Sequence, residues 1–276
     1  AFAMSKKQIG LAGTLAIGLA SMLGAGVFVV FRDAYLFAGS WLYAALGLAA
    51  LVASLNAASV YQLARQVDRP GGTYAYARVY RNDTWSFLAG FAFVFGKIGS
   101  IAAIALVFGE YAWPQQKHLA AVLAILVMVL INVLGIQRTA GVAAVLSIIT
   151  TGFLILTIAV GSDPAAGMPR RYATYYPDVL QLPTGPTWGI VTGASLIFFA
   201  FAGYARVATL GNEVRDAKRN IPKAIAFSLG GVLILYLLLT AALTKVLGVK
   251  LASAEAPFIA YFNALGIHID WLILMV

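Results

Sequence analysis

Apolar runs of 18 or more residues recur along the whole chain, and that recurrence excludes a soluble fold. Each run is long enough to cross a hydrocarbon layer of about 30 Å as a helix. Inside that layer every backbone N–H and C=O must be satisfied within the protein, so runs of this length read as transmembrane helices. The rest of the composition agrees: 62% of the 276 residues are hydrophobic and only 11% are charged, with a mean hydropathy of +0.89. The net charge of +9 would suggest nucleic acid only if the basic residues formed a face. They fall instead in the short connections between apolar runs, so no nucleic-acid partner is expected. The chain has no cysteine, which rules out disulfides and thiolate chemistry.

The pattern predicts an all-α polytopic membrane protein, a single transmembrane domain over residues 1–276, with helices over about 9–31, 38–62, 84–112, 119–136, 140–161, 187–210 and 222–248. Twelve of the 19 Lys and Arg fall in one set of connections, among them Lys6, Arg65, Arg78, Arg138, Arg215 and Lys223. Six fall in the other set: Arg32, Lys117, Arg170, Arg171, Lys245 and Lys250. The excess sets the N-terminus on the cytoplasmic side. Trp41, Trp85, Trp113 and Trp188 stand at or near span ends, as interfacial anchors do. The first run is too long for a cleavable signal, and Met4 is the expected natural start. The last run, Ile267–Val276, covers only about 15 Å as a helix. The chain is therefore expected to be a piece of a longer protein, cut in its eighth span.

The first span is unusual. Leu15–Phe31 carries Gly24 and Gly26 at its centre, and a glycine costs about 1 kcal/mol relative to alanine inside a helix. One reading is that both glycines let a neighbouring helix pack closely. The other is that the helix opens its backbone at mid-depth, which hydrocarbon tolerates only where the opening is enclosed by protein or lines a cavity. The sixth span repeats the feature at Leu196-Ile197-Phe198-Phe199-Ala200-Phe201-Ala202-Gly203-Tyr204. Interrupted spans five apart point to two inverted repeats, here about 9–161 and an incomplete 187–276, with a binding site at the interruptions. Half-helix N-termini suit a carboxylate and unwound carbonyls suit an ammonium. Together the two interruptions could hold an amino acid without any charged side chain.

Four segments carry a resemblance. Gly24-Ala25-Gly26-Val27-Phe28 is similar to the Gly-small-Gly-Ile-Phe motif of the amino acid–polyamine–organocation (APC) transporters. Pro70-Gly71-Gly72-Thr73-Tyr74-Ala75-Tyr76 resembles that family's first inner loop, and Phe198–Tyr204 its sixth-helix motif. Asn212-Glu213-Val214-Arg215 with Arg219-Asn220-Ile221-Pro222 resembles its sixth-to-seventh loop. The resemblance implies the inverted-repeat (LeuT-like) broken-helix fold, and secondary active transport of an amino acid by alternating access across the plasma or inner membrane. It implies a substrate carboxylate on the amides near Gly24, Ala25 and Gly26. It implies a substrate amine on carbonyls of Met22, Phe199, Ala200 and Ala202, with Phe201 or a neighbour as an aromatic gate. Phe198 and Tyr204 flank that gate. Ser100 aligns near a substrate-side position. The chain departs from the family twice: Ala25 replaces a common Ser or Thr, and Thr150 stands where proton-coupled relatives often carry Lys.

Lys97 is the ionisable residue deepest in a span, about 20 Å of helix rise from either end, too far for its stem to reach the interface. A charge at mid-bilayer costs about 2.5–3.5 kcal/mol or more, so Lys97 is expected to face the bundle, either as a coupling residue or as a structural one bonded to carbonyls or Asn56. The expected partners are an amino acid, the lipid bilayer and H+ or Na+ as coupling ion. No cofactor, metal or enzymatic activity is expected. The rival readings are an exchanger or exporter of amines or polyamines, and a non-transporting bundle such as a channel or sensor. A channel calls for a continuous polar stripe and an enzyme for convergent His, Asp or Glu, and neither pattern stands in these spans.

Overall fold

The computed structural model describes residues 9–24, 26–67, 72–133, 136–162, 186–208, 210 and 213–268. Ala25, Pro70 and Gly71, residues 163–185, Asn212, and the final run from Ile269 onward, with Asp270, lie outside the described residues. What is described is helical, apart from one isolated parallel bridge between Ile9 and Val214. The elements are α1 (Leu11–Met22), α2 (Gly26–Ala38), α3 (Leu42–Gln66), α4 (Thr73–Tyr80), α5 (Asp83–Ala112), α6 (Lys117–Val133), α7 (Ile136–Ser162), α8 (Pro186–Phe201), α9 (Tyr204–Ala208), α10 (Ala217–Leu247) and α11 (Pro257–Ala264).

The first predicted span is two helices. α1 stops at Met22, Leu23 and Gly24 bend, and α2 starts at Gly26. The sixth is likewise divided, into α8 and α9, with a turn at Ala202-Gly203. Among the described residues five stretches are long and apolar enough to cross a membrane: 26–63, 83–112, 114–133, 145–162 and 217–253. The first of these contains two pieces. Gly39, at φ +53°, opens a 3-10 turn over Gly39–Trp41 that separates α2 from α3. Only glycine adopts that φ without strain, so the chain turns there and does not continue as one rod.

α10 and α11 depart most from the sequence expectation. α10 begins at Ala217, five residues before the expected start, because the amides of Arg219 and Asn220 close on the Asp216 carbonyl and Asn220 Nδ2 donates to the Arg215 carbonyl at 2.6 Å. Pro222 stands inside α10, in its second turn, and forgoes one intrahelical N–H bond there. α11 is additional to the expected helices. Pro257 occupies its first turn, and Phe258, Tyr261 and Phe262 give one buried stripe at spacings of three and four.

The chain divides into two compact units. The first comprises Ala1–Met22, Val52–Ala102 and Phe201–Val232; the second comprises Leu23–Leu51, Ala103–Ala200 and Leu233–Val276. The chain passes from one to the other at five points: Met22/Leu23 and Ala200/Phe201, beside the two interruptions, and Leu51/Val52, Ala102/Ala103 and Val232/Leu233, inside α3, α5 and α10. In the first unit α1 buries Thr14, Gly18 and Met22, a single stripe four residues apart, and packs on α9. α4 follows Gly72 as a short helix with Ala75 and Tyr76 buried, fixed by the Ser86 hydroxyl on the Tyr74 carbonyl at 2.9 Å.

In the second unit α2 buries Val27, Phe28, Val30, Phe31, Ala34 and Ala38 along one face. Phe28 anchors an aromatic cluster. Its ring centroid lies 5.9 Å from Tyr111, 6.0 Å from Phe153 and 5.1 Å from Phe258, and Phe153 lies 5.6 Å from Phe262. Each such pair contributes roughly 0.5–1.5 kcal/mol beyond its area. That matters in lipid, where helices associate through packing without a hydrophobic drive.

Candidate functional site

The two interruptions supply what helix ends always supply. The end of α1 leaves carbonyls ahead of any helical partner, and the start of α2 leaves N–H groups and the positive end of the helix dipole. One pair is closed locally: the Val27 amide donates to the Gly24 carbonyl at 3.1 Å. Gly26 opens α2, so its N–H lies ahead of that helix's own hydrogen-bonding pattern.

In the second unit the start of α2 meets the end of α8. A β-carbon on Gly26 would lie 3.7 Å from two ring atoms of Phe199 and 3.9 Å from the Ala200 α-carbon. These are ordinary van der Waals distances, so the backbone here is accessible but not crowded. Gly24 is more open: a β-carbon there meets no described atom within 4 Å. The last carbonyls of α8 are also ahead of helical partners. One of them, Ala200, accepts the hydroxyl of Tyr236 on α10 at 3.3 Å. The Tyr236 ring is fully buried and stands edge-on to Phe31 at 5.7 Å. A second tyrosine does the same for α2: the Tyr111 hydroxyl donates to the Phe28 carbonyl at 2.9 Å.

In the first unit the end of α1 meets the turn before α9. A β-carbon on Gly203 would fall 2.1 Å from the Ser21 carbonyl oxygen and 2.6 Å from the Met22 nitrogen. The two backbones therefore touch, and only glycine fits. The carbonyls of this turn are engaged by α9, since Ala205 N–H donates to Ala202 at 3.4 Å and Arg206 N–H to Gly203 at 3.0 Å. Each carbonyl keeps a second lone pair for a ligand.

The predicted residues separate accordingly. Gly26, Phe199 and Ala200 are brought together. Met22 is buried at the end of α1, against Gly203. Ala25 lies outside the described residues. Phe198 is half-buried and Phe199 exposed, whereas Phe201 and Tyr204 are buried in the first unit. The aromatic against Gly26 is thus Phe199. Ser100 spends its hydroxyl on the Gly96 carbonyl of its own helix at 2.9 Å. Thr150 is buried on α7. Lys97 differs from the expectation of an enclosed side chain: among the described residues it is exposed, its ammonium 5.7 Å from the Phe93 ring centroid. The physical reason is that α5 is little covered over this stretch, and β-carbons on Gly96 and Gly99 meet no described atom within 4 Å.

Tyr236 and Tyr111 are not among the residues that the sequence singles out. The signal is there for Tyr236, a lone hydroxyl within Leu233-Ile234-Leu235-Tyr236-Leu237-Leu238-Leu239. A hydroxyl at that depth must find an acceptor within the protein, and unwound backbone provides one.

Comparison with known proteins fits this geometry. A family model described as amino acid permease matches residues 13–275. An uncharacterized transporter of Mycobacterium tuberculosis is 41% identical over 272 residues, covering 97% of this chain and 59% of the relative. The chloroplastic cationic amino acid transporter 7 of Arabidopsis thaliana is 26% identical, covering 90% of this chain and 46% of the relative. The branched-chain amino acid permease BcaP of Bacillus subtilis is 23% identical, with 88% and 55% covered. The chain spans about half the length of the curated relatives it matches.

Proposed function

The chain belongs to the amino acid permease family, and on that premise we propose that it is part of a secondary active transporter that moves an amino acid across the cell membrane by alternating access. The substrate is held by the unwound backbone between α1 and α2 and at the α8–α9 turn, with the carboxylate at Gly24, Ala25 and Gly26 and the amine on carbonyls of Met22, Phe199, Ala200 and Ala202. The observation that carries this reading is the half-by-half meeting of the two interruptions: Gly26 against Phe199 and Ala200 in one unit, Ser21 and Met22 against Gly203 in the other. The chain then holds one five-helix repeat and part of a second, inverted one, within a single transmembrane domain, with the N-terminus cytoplasmic.

The substrate is a neutral, small-to-medium or apolar amino acid. No acidic side chain occurs in α1, α8 or α9 to meet a second positive charge. A cationic amino acid is the second reading, favoured by the naming of the Arabidopsis relatives. Lys97 takes part in coupling to H+: a mid-span charge is costly against lipid, which supports reading its face of α5 as hydrated or covered in the working transporter. Lys97→Gln should then flatten the dependence of initial uptake on pH, and an unchanged profile assigns coupling to another group or to Na+.

The test is uptake and exchange in proteoliposomes containing the full-length protein, with a panel of labelled amino acids. Saturable uptake of neutral members supports the proposal. Displacement by cationic amines alone supports the second reading, and absence of uptake for the whole panel refutes both.

A further inference from the structure

The hydroxyl of Tyr111 has two backbone partners. It donates to the Phe28 carbonyl of α2 at 2.9 Å, and the Phe258 amide of α11 donates to it. Chemistry fixes the direction, since a carbonyl only accepts and an amide only donates. The Phe258 N–H lies ahead of the first bond inside α11, which runs from the Ala260 amide to the Ala256 carbonyl at 3.0 Å, so its own helix offers it no acceptor. The Phe28 carbonyl lies two residues, about 3 Å of helix rise, beyond Gly26, where α2 starts. Tyr111, Phe28 and Phe258 are all buried, so bulk water does not replace a lost bond.

The place of Tyr111 is itself set by backbone. α5 ends one residue later, and the Trp113 amide closes on the Gly109 carbonyl at 2.9 Å. A β-carbon on Gly109 would fall 2.2 Å from the Lys117 carbonyl oxygen, so the end of α5 and the start of α6 touch there. The Lys117 ammonium meets the Glu110 carboxylate at 3.1 Å across the same corner. The Tyr111 ring stands edge-on to Phe28 at 5.9 Å, and Phe28 packs on Phe258 at 5.1 Å. A ring with two χ angles, anchored at such a corner, has little freedom, and its hydroxyl marks one position for the Phe28 carbonyl. Tyr261 makes a bond of the same kind elsewhere in this unit. Its hydroxyl, also buried, donates at 2.9 Å to the Thr157 carbonyl of α7, which is not an interrupted span.

We infer that Tyr111 is a positioning residue for the substrate carboxylate: it holds the first turn of α2, and so the amides that open that helix, without touching the substrate itself. This rests on the transport reading above, and it adds a residue outside both interruptions that sets affinity at the first. A loosened first turn has to be reordered when substrate binds, which weakens binding and leaves later steps alone.

The experiment compares Tyr111→Phe with Tyr261→Phe in the full-length protein. Each change removes one buried hydroxyl and keeps its ring. Amide hydrogen exchange over residues 26–32 is read by mass spectrometry, and initial uptake of a labelled neutral amino acid is measured against concentration in proteoliposomes. Tyr111→Phe should speed exchange in that segment about ten-fold and raise KM roughly five-fold, with kcat within about two-fold of the wild type. Tyr261→Phe should lower the melting temperature about as much, yet leave that exchange and KM as they are in the wild type. A merely structural role predicts that the two variants behave alike, and that result overturns the inference. Unchanged exchange over residues 26–32 in Tyr111→Phe also overturns it, as does faster exchange with an unmoved KM. Uptake absent from the wild type refutes the transport reading instead, and the exchange comparison still decides whether Tyr111 holds α2.

Discussion

The two interruptions use glycine in opposite ways. At the first, Gly24 and Gly26 leave open space: a β-carbon at Gly24 meets nothing described and one at Gly26 meets only ordinary contacts. At the second, Gly203 is closed, its α-carbon set against the Ser21–Met22 peptide. Two meanings are open to such glycines, close packing or an opened backbone, and the molecule uses both. Packing explains Gly203 and Gly18. At Gly24 and Gly26 the backbone is left uncrowded, and the proposed substrate site draws on that opening. The difference teaches that the role of a glycine in an apolar helix is decided by what faces it.

The sharpest way to break this contrast is Gly203→Ala. The new methyl would overlap the Ser21 carbonyl, and neither partner is a flexible side-chain tip. We expect loss of at least about 3 kcal/mol, the upper range for overpacking, seen as a large drop in detergent melting temperature or as aggregation. A variant that melts like the wild type would show that the second interruption is not closed.

Gly18→Ala is a milder test of the closed side. Its methyl meets the Ser228 hydroxyl and a Val207 methyl, both of which can rotate or shift. About 1–2 kcal/mol of destabilisation is expected in the same melting assay. Equality with Gly203→Ala would mean that side chains there yield no more than backbone does.

Tyr236→Phe removes the donor that holds the Ala200 carbonyl while keeping the ring against Phe31. The expected cost is about 1 kcal/mol, roughly five-fold in amino acid affinity, with little change in melting temperature. Unchanged affinity would mean that the Ala200 carbonyl needs no holding. The smallest effect belongs to the open side. Gly26→Ala adds a methyl at ordinary contact distance from Phe199, and its fold stability should stay within about 0.5 kcal/mol of the wild type.

Much of this architecture is legible in the order of residues. Run length predicts the helices, and the two glycine-bearing segments mark where they break. Bounds move where local chemistry outweighs hydropathy: α10 starts early because Asp216 and Asn220 close its first turn, and α11 forms because Pro257 and three buried aromatics suit a short helix. The tertiary partners of the breaks are not legible in the same way. Nothing in the order of residues says that Phe199, and not Phe201, lies against Gly26, because one residue of helix rotation turns a side chain by about 100°. Tyr236 and Tyr111 reach their carbonyls across sequence separations of 36 and 83 residues, which periodicity does not encode. The cost of a charge in lipid predicts an enclosed Lys97, yet the described residues leave it exposed.

The decisive experiment is the affinity of the full-length protein for a labelled neutral amino acid, wild type against Gly26→Val, each first confirmed monodisperse. Valine adds two methyls beyond a β-carbon that already lies 3.7 Å from the Phe199 ring, and it is expected to shield the first amide of α2. The variant is expected to stay folded and to lose at least about 100-fold in affinity, some 2.7 kcal/mol. A folded Gly26→Val protein that binds as the wild type does would contradict the assignment of the first interruption as the substrate's seat.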